Sequence, residues 1–151
     1  MSSKFILPFN NQPASSQKGT GTYTCPTGKY ARVSISVSGT VVIAPSSATA
    51  SASDTVCPDS DSFAHTFDVW VKAGDTISAT ATAASGTTSI SAASSGTRSS
   101  QTTIDVKHNS SSIGFFYAQA QAYMYSTGAG SLTSGGSTSF VWFAQEYNEL
   151  T

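Results

Sequence analysis

Residues 21–39 read GTYTCPTGKYARVSISVSG. From Ala31 onward apolar and polar side chains alternate, so that Ala31, Val33, Ile35 and Val37 share one face and Arg32, Ser34, Ser36 and Ser38 the other. A period of two belongs to a β-strand with one face on a core and one in water. Just before it, Cys25-Pro26-Thr27-Gly28 places Pro second and Gly fourth, the chemistry of a type I turn closed by a left-handed Gly. The stretch predicts a hairpin. Residues 69–84, VWVKAGDTISATATAA, repeat the logic around Val71-Lys72-Ala73-Gly74. Phe67, Val69 and Val71 line one side before that turn, and Ile77, Ala79, Ala81 and Ala83 line one side after it. A second hairpin with the same loop type is expected.

Composition agrees with an all-β chain. Only 10% of the 151 residues are charged, and the sequence carries 29 Ser and 20 Thr. Both depress helix propensity, and Thr favours strands. Eight Phe, six Tyr and two Trp supply core material, and a chain of this size buries roughly 70% of its unfolded surface without needing metals or disulfides. The net charge is -1, and Lys4, Lys18, Lys29, Arg32, Lys72, Arg98 and Lys107 are scattered. No basic stripe exists for nucleic acid, which is not expected as a partner. No apolar run approaches the ~20 residues of a membrane span, so a membrane is not expected either. The apolar patch near the start is broken by Pro8 and is too short for a secretory signal. Synthesis in a cytoplasm is the expectation, with Cys25 and Cys57 as reduced thiols.

Residues 1–18 differ from the rest. They mix an apolar knob, Phe5-Ile6-Leu7-Pro8-Phe9, with Asn, Gln and a second Pro, and show neither helical nor strand period. They read as an anchoring arm that lies on another subunit or a larger assembly, with a few residues packed on the chain's own domain as the alternative, followed by one domain over 19–151. Residues 44–62 read as a long loop with a short edge strand near 55–57, and residues 84–100 as a soft region with a strand centred on Ile90. Strands are expected at 102–107, 113–125 and 138–147, with GAGSLTSGGSTS (128–139) as a flexible loop before the last. The strand at 113–125 carries bulk on both faces: Phe115, Tyr117, Tyr123 and Tyr125 on one, Phe116 and Met124 on the other. Two-sided bulk implies burial on both sides or a partner chain. Phe115, Phe116, Tyr117, Tyr123, Tyr125, Phe140 and Trp142 are therefore the candidate oligomer interface. Seven or eight short antiparallel strands predict a β-sandwich, jelly-roll-like in architecture.

Reactive chemistry is sparse. No G-x-S-x-G elbow, H-E-x-x-H motif or cysteine pair at zinc spacing occurs. His65 and His108 read as structural or surface residues. Asp54, Asp59, Asp61 and Asp68 form the densest acidic group, but the loop lacks the Gly and closing Glu of a twelve-residue calcium site. Glu146 and Glu149 read as plain surface charge. A polysaccharide depolymerase would need two carboxylates about 5–10 Å apart, and none stand out. Catalytic residues, metal ligands and cofactors are all expected to be none. Tyr23, Tyr30, Trp70 and Trp142 are candidates either for stacking on sugar rings or for filling the core or a subunit interface.

Two patterns together carry a resemblance. Tyr23, Thr24, Pro26, Gly28, Lys29 and Tyr30 form the first, and Val71, Ala73, Gly74, Asp75, Thr76 and Ile77 the second. The pairing resembles small β-sandwich virion structural proteins of tailed bacteriophages, of the head decoration, head fibre or tail knob type. The hairpin-turn residues Pro26, Gly28, Gly74 and Asp75 anchor it. The resemblance implies a jelly-roll-like sandwich, a homotrimer, partners among capsid or tail subunits, and a place on the virion surface. It implies no catalytic residues. The expected function is a non-enzymatic decoration or fibre module. The alternative is a receptor-binding tip that contacts a host-surface glycan through the loops at 44–62 and 126–138.

Overall fold

The computed structural model describes residues 13–46 and 53–150. Within them lie ten strands: β1 (Pro13–Gly19), β2 (Tyr23–Thr24), β3 (Lys29–Pro45), β4 (Thr55–Cys57), β5 (Asp59–Lys72), β6 (Thr76–Thr82), β7 (Ser85–Ile90), β8 (Ser94–His108), β9 (Ser111–Ser126) and β10 (Gly130–Asn148). They build two five-stranded sheets, and every pairing is antiparallel. Sheet A runs β1-β10-β3-β5, with β7 on the same flank of β10 as β1, and sheet B runs β2-β6-β8-β9-β4. The protein is an all-β sandwich.

Its centre is the alternating stretch that opened the sequence. Ala31, Val33, Ile35, Val37, Val41 and Ile43 of β3 are all buried, while Arg32, Thr40 and Val42 face water. Fully burying each Val or Ile side chain contributes about 1.5–3 kcal/mol. The core has two parts. The first gathers Val33, Ile35, Val71, Ile77, Ile104, Val106 and Trp142, and the second gathers Val41, Ile43, Ile90, Met124 and Leu132. Between them the sandwich narrows. A Cβ on Gly39 would overlap Phe63, and one on Gly136 would overlap Thr102 Oγ1 and lie 2.6 Å from the Thr40 carbonyl. Buried Thr102 fills this waist, donating to the Thr40 carbonyl at 2.7 Å and accepting the Ala84 N–H at 3.0 Å. Glycine is used here for close sheet approach.

The structure corrects several expectations. Neither Gly turn closes a hairpin: β2 pairs with β6 in sheet B while β3 lies in sheet A, and β5 lies in sheet A while β6 lies in sheet B. Both turns carry the chain from one sheet to the other. Gly28 and Gly74 have φ of 79° and 85°, and the first turn is closed by Lys29 N–H on the Pro26 carbonyl at 3.2 Å. A left-handed third residue in such a turn is what Gly supplies. GAGSLTSGGSTS is not a loop, because β10 begins at Gly130 and runs through it. The region 44–62 contains β4 at the expected place, but β5 already starts at Asp59. The strand expected at 102–107 extends back to Ser94. Residues 13–18, assigned from sequence to the arm, belong with Gly19 to β1 on the edge of sheet A. The knob Phe5-Ile6-Leu7-Pro8-Phe9 lies outside the described residues.

Candidate functional site

Strand β9 sets its own two faces. Ala118, Ala120, Ala122 and Met124 point into the core, which by the period of two turns Phe115, Tyr117, Gln119, Gln121, Tyr123 and Tyr125 outward. Phe115 is 58% exposed and Tyr117 53%, with Tyr123 and Tyr125 also exposed. Register fixes what stands beside them on β8: Thr103 by Tyr117, Gln101 by Gln119, Ser99 by Gln121 and Thr97 by Tyr123. At the middle of this face lies a hollow of about 560 Å³, lined by Asp59, Ser99, Ser100, Gln101, Gln119, Ala120 and Gln121. Gln119 Nε2 donates to Gln101 Oε1 at 3.0 Å. Asp59 and Asp61 reach over from β5 to the edge of β9, accepting the backbone N–H of Gln121 at 2.9 Å and of Gln119 at 3.0 Å. Two carboxylates thus occupy backbone donors that an open strand edge would offer to another chain.

The outer face of sheet A differs. Tyr30, Trp70 and Tyr147 cluster there, with Tyr30 stacked on Tyr147 at 5.3 Å and Trp70 tilted against both. Arg32 pairs with Asp68 on the same face, and that bond holds the Asp68 carboxyl below the usual carboxylate range. Val141 and Phe143 stand exposed beside an apolar groove of about 520 Å³ that includes Ser34, Ser36 and the chain from Lys18 to Thr20.

Two polar knots hold the interior. At one end the two Gly turns bind each other, with Cys25 N–H on the Asp75 carbonyl and Gly74 N–H on the Cys25 carbonyl, each at 2.9 Å. Asp75 is buried there. Its carboxylate meets His108 Nε2 at 2.9 Å and accepts from the Lys72 N–H and from Asn109 Nδ2. These bonds, His108 first and the Lys72 N–H next, bring its pKa down to about 2. The second knot is Glu146, 1% exposed, which accepts hydrogen bonds from Tyr23 Oη, Ser15 Oγ and Gln17 Nε2 at 2.7–2.8 Å. Burial alone would raise the Glu146 pKa, but the three donors outweigh it and hold the group below its ordinary value. Burial and the Glu146 bond push the Tyr23 phenol up, and burial pushes the Cys25 thiol up.

The sequence-derived candidates therefore divide. Phe115, Tyr117, Tyr123 and Tyr125 come together on the outside of sheet B. Phe116 turns inward, stacked on His65 at 4.9 Å and close to Phe63 and Phe67. Phe140 packs against the first core and Trp142 lies within it, its ring 4.7 Å from Tyr23 and its Nε1–H on the Gly21 carbonyl. These three are not available to an outer interface, because their parity on β9 and β10 points them at the opposite sheet. Of the four sugar-stacking candidates, Tyr23 and Trp142 are core residues, and Tyr30 and Trp70 remain accessible beside Tyr147. Glu146 is not surface charge. The acidic group disperses, Asp54 bonding Thr127, Asp59 and Asp61 bonding β9, and Asp68 bonding Arg32. Among the described residues no group of three or more His, Cys, Asp or Glu side chains is placed to hold a metal. Cys25 is buried, Cys57 is exposed, and both are free thiols. Sequence reading passed over Gln101, Gln119 and Gln121. Their signal was the alternation of Gln with Ala in 118–122, the same period of two that placed the tyrosines.

Chemically, the molecule offers a two-sheet sandwich with one outer face that carries an apolar groove among polar side chains and one outer face mixing tyrosine with amide. No protein-family model, curated protein or solved structure matches the chain.

Proposed function

We propose that this chain is a non-enzymatic structural module of a tailed-bacteriophage virion, a jelly-roll-like sandwich that joins capsid or tail as a homotrimer. The observation that carries the reading is the union of the two motifs behind the resemblance. The Pro26–Gly28 turn and the Gly74–Asp75 turn bond each other through Cys25 and pin both sheets at one end of the sandwich. Two patterns far apart in sequence are thus one structural unit, which gives a physical reason for their occurring together.

The copies meet through the outer face of sheet A. Trp70 is 57% exposed, Phe143 45% and Val141 41%, apolar side chains that stand among the Ser and Thr of that face. Such patches mark association surfaces. Arg32 and Asp68 neutralise one another within each chain, so that pair presents no net charge to an approaching copy. Sedimentation velocity at micromolar concentration tests the reading. A trimer is expected, and Trp70→Ser combined with Phe143→Ser should yield a folded monomer with an unchanged circular dichroism spectrum. A wild-type chain that stays strictly monomeric overturns it.

One observation favours the second reading, a receptor-binding tip: every residue lining the hollow on the opposite sheet except Ala120 is polar.

A further inference from the structure

The geometry points to a binding site for a neutral, extended oligosaccharide along the outer face of β9, centred on the hollow between Tyr117 and Tyr123. The inference rests on the tip reading and is independent of association through sheet A. Outward residues of one strand recur at about 7 Å, so Tyr117, Gln119, Gln121 and Tyr123 form a row about 20 Å long. Its ends are aromatic and its middle is amide. A pyranose presents an apolar C–H face and a rim of hydroxyls; a phenol ring suits the first, and amides, which both donate and accept, suit the second.

The polar groups of the hollow are placed but not used up. Gln119 and Gln101 fix each other with one bond, and Asp59 is held by the Gln121 backbone. Gln101 Nε2, the Gln121 side-chain amide and Ser99 Oγ make no hydrogen bond among the described residues. Ligand hydroxyls entering here meet donors and acceptors whose positions are already set, which lowers the ordering cost of binding. A dry protein surface pressed on the same hollow would leave those groups unpaired at a desolvation cost. The charge selects further. Among the described residues Asp59 is the one ionisable group lining the hollow and no cation lines it, so an acidic sugar or a phosphate is repelled and a neutral one is not. The extended spacing of the row favours a chain with equatorial β-1,4 links over a coiling α-linked one.

The test is an NMR titration of the full ¹⁵N-labelled chain with cellotetraose, chitotetraose and maltotetraose at millimolar concentrations. At least one of the two β-linked tetrasaccharides is expected to shift the side-chain amide signals of Gln101, Gln119 and Gln121. Gln121→Ala and Tyr123→Ala, both at exposed positions, should each weaken that binding about tenfold while leaving the remaining backbone spectrum in place. Binding of maltotetraose as strong as that of the best β-linked sugar overturns the extended-ligand claim. Shifts gathered at Tyr30, Trp70 and Tyr147, or binding undiminished by both variants, overturn this site while leaving the tip reading standing. No shift with any of the three overturns the site and the tip reading together.

Discussion

A carboxylate removed from water keeps its charge only when its oxygens are bonded, and Glu146 accepts hydrogen bonds from Tyr23, Ser15 and Gln17. Those donors come from β1 and β2, so one side chain of β10 ties down the beginning of the described chain. Glu146→Ala leaves three donors around an empty space, and the expected loss is about 3 kcal/mol, within the range for breaking a buried network. Tyr23→Phe removes a single bond to the charged group and should cost about 1.5–3 kcal/mol. Urea unfolding of both variants and of the double variant checks this. The double variant should lose less than the sum of the single losses, since the Tyr23 bond is already absent once Glu146 is removed. Nothing in AQEYNEL separates a buried Glu146 from an exposed Glu149. The alternation of Trp142, Ala144 and Glu146 puts them on one face, but a carboxylate on a core face reads as an error until its three donors, more than 120 residues away, are brought beside it. Asp75 shows the converse. Its place after a turn glycine marked it as structural, yet the partnership with His108 depends on β6 pairing with β8.

Strands were legible from their period, and their partners were not. The alternation in β3 and the bulk in β9 located those elements to within a few residues, and the short β4 fell where expected. Glycine misled in β10, where GSLTSGG has the composition of a linker but stands in a narrow part of the sandwich. Space around each residue separates the two meanings. Gly135 faces outward with nothing within 4 Å of a Cβ, whereas a Cβ on its neighbour Gly136 would meet Thr102, the Thr40 carbonyl and the Ala84 nitrogen. Gly136→Ala should therefore destabilise by about 1–3 kcal/mol through overpacking at the waist. Gly135→Ala should be neutral or mildly stabilising, by up to about 1 kcal/mol, because the unfolded chain loses freedom. In a chain of this size the first corresponds to a fall in Tm of about 2–12 °C. If thermal melts of the pair show equal shifts, the segment acts as a linker and the waist is not a close contact.

At the scale of the whole molecule, the buried ionisable groups set a pH range for the fold. On the acid side, Asp75 has an ordinary pKa of 3.8 and about 2 when folded, and Glu146 sits below its ordinary 4.5. As pH falls through those ordinary values the unfolded chain takes up protons that the folded chain refuses, so stability declines. The contribution of both groups is complete above about pH 5 and is lost progressively toward pH 2. On the alkaline side the sign reverses. Tyr23 and Cys25 are raised from ordinary values of 10.0 and 9.0, so above those values the unfolded chain sheds protons that the folded chain keeps. Stability falls again from about pH 9 upward. Tm against pH should form a plateau between about pH 5 and 9 with a shoulder falling away on each side. Asp75→Asn lowers the plateau, since the amide pairs poorly with His108 and the Lys72 N–H, and it makes the acid shoulder shallower because one refused proton is gone. Tyr23→Phe does the same to the alkaline shoulder and leaves Asp75's share of the acid one in place. The two knots lie at separate points of the sandwich, Asp75 joining the inter-sheet turns to the β8–β9 hairpin and Glu146 joining β1 and β2 to β10. Asp75→Asn should therefore act on the acid shoulder alone, whereas Tyr23→Phe acts on the alkaline shoulder and, through the lost bond to Glu146, on the Glu146 part of the acid one. An acid shoulder left unaltered by Asp75→Asn would show that the Asp75–His108 contact is open to water in solution and does not hold the turns together.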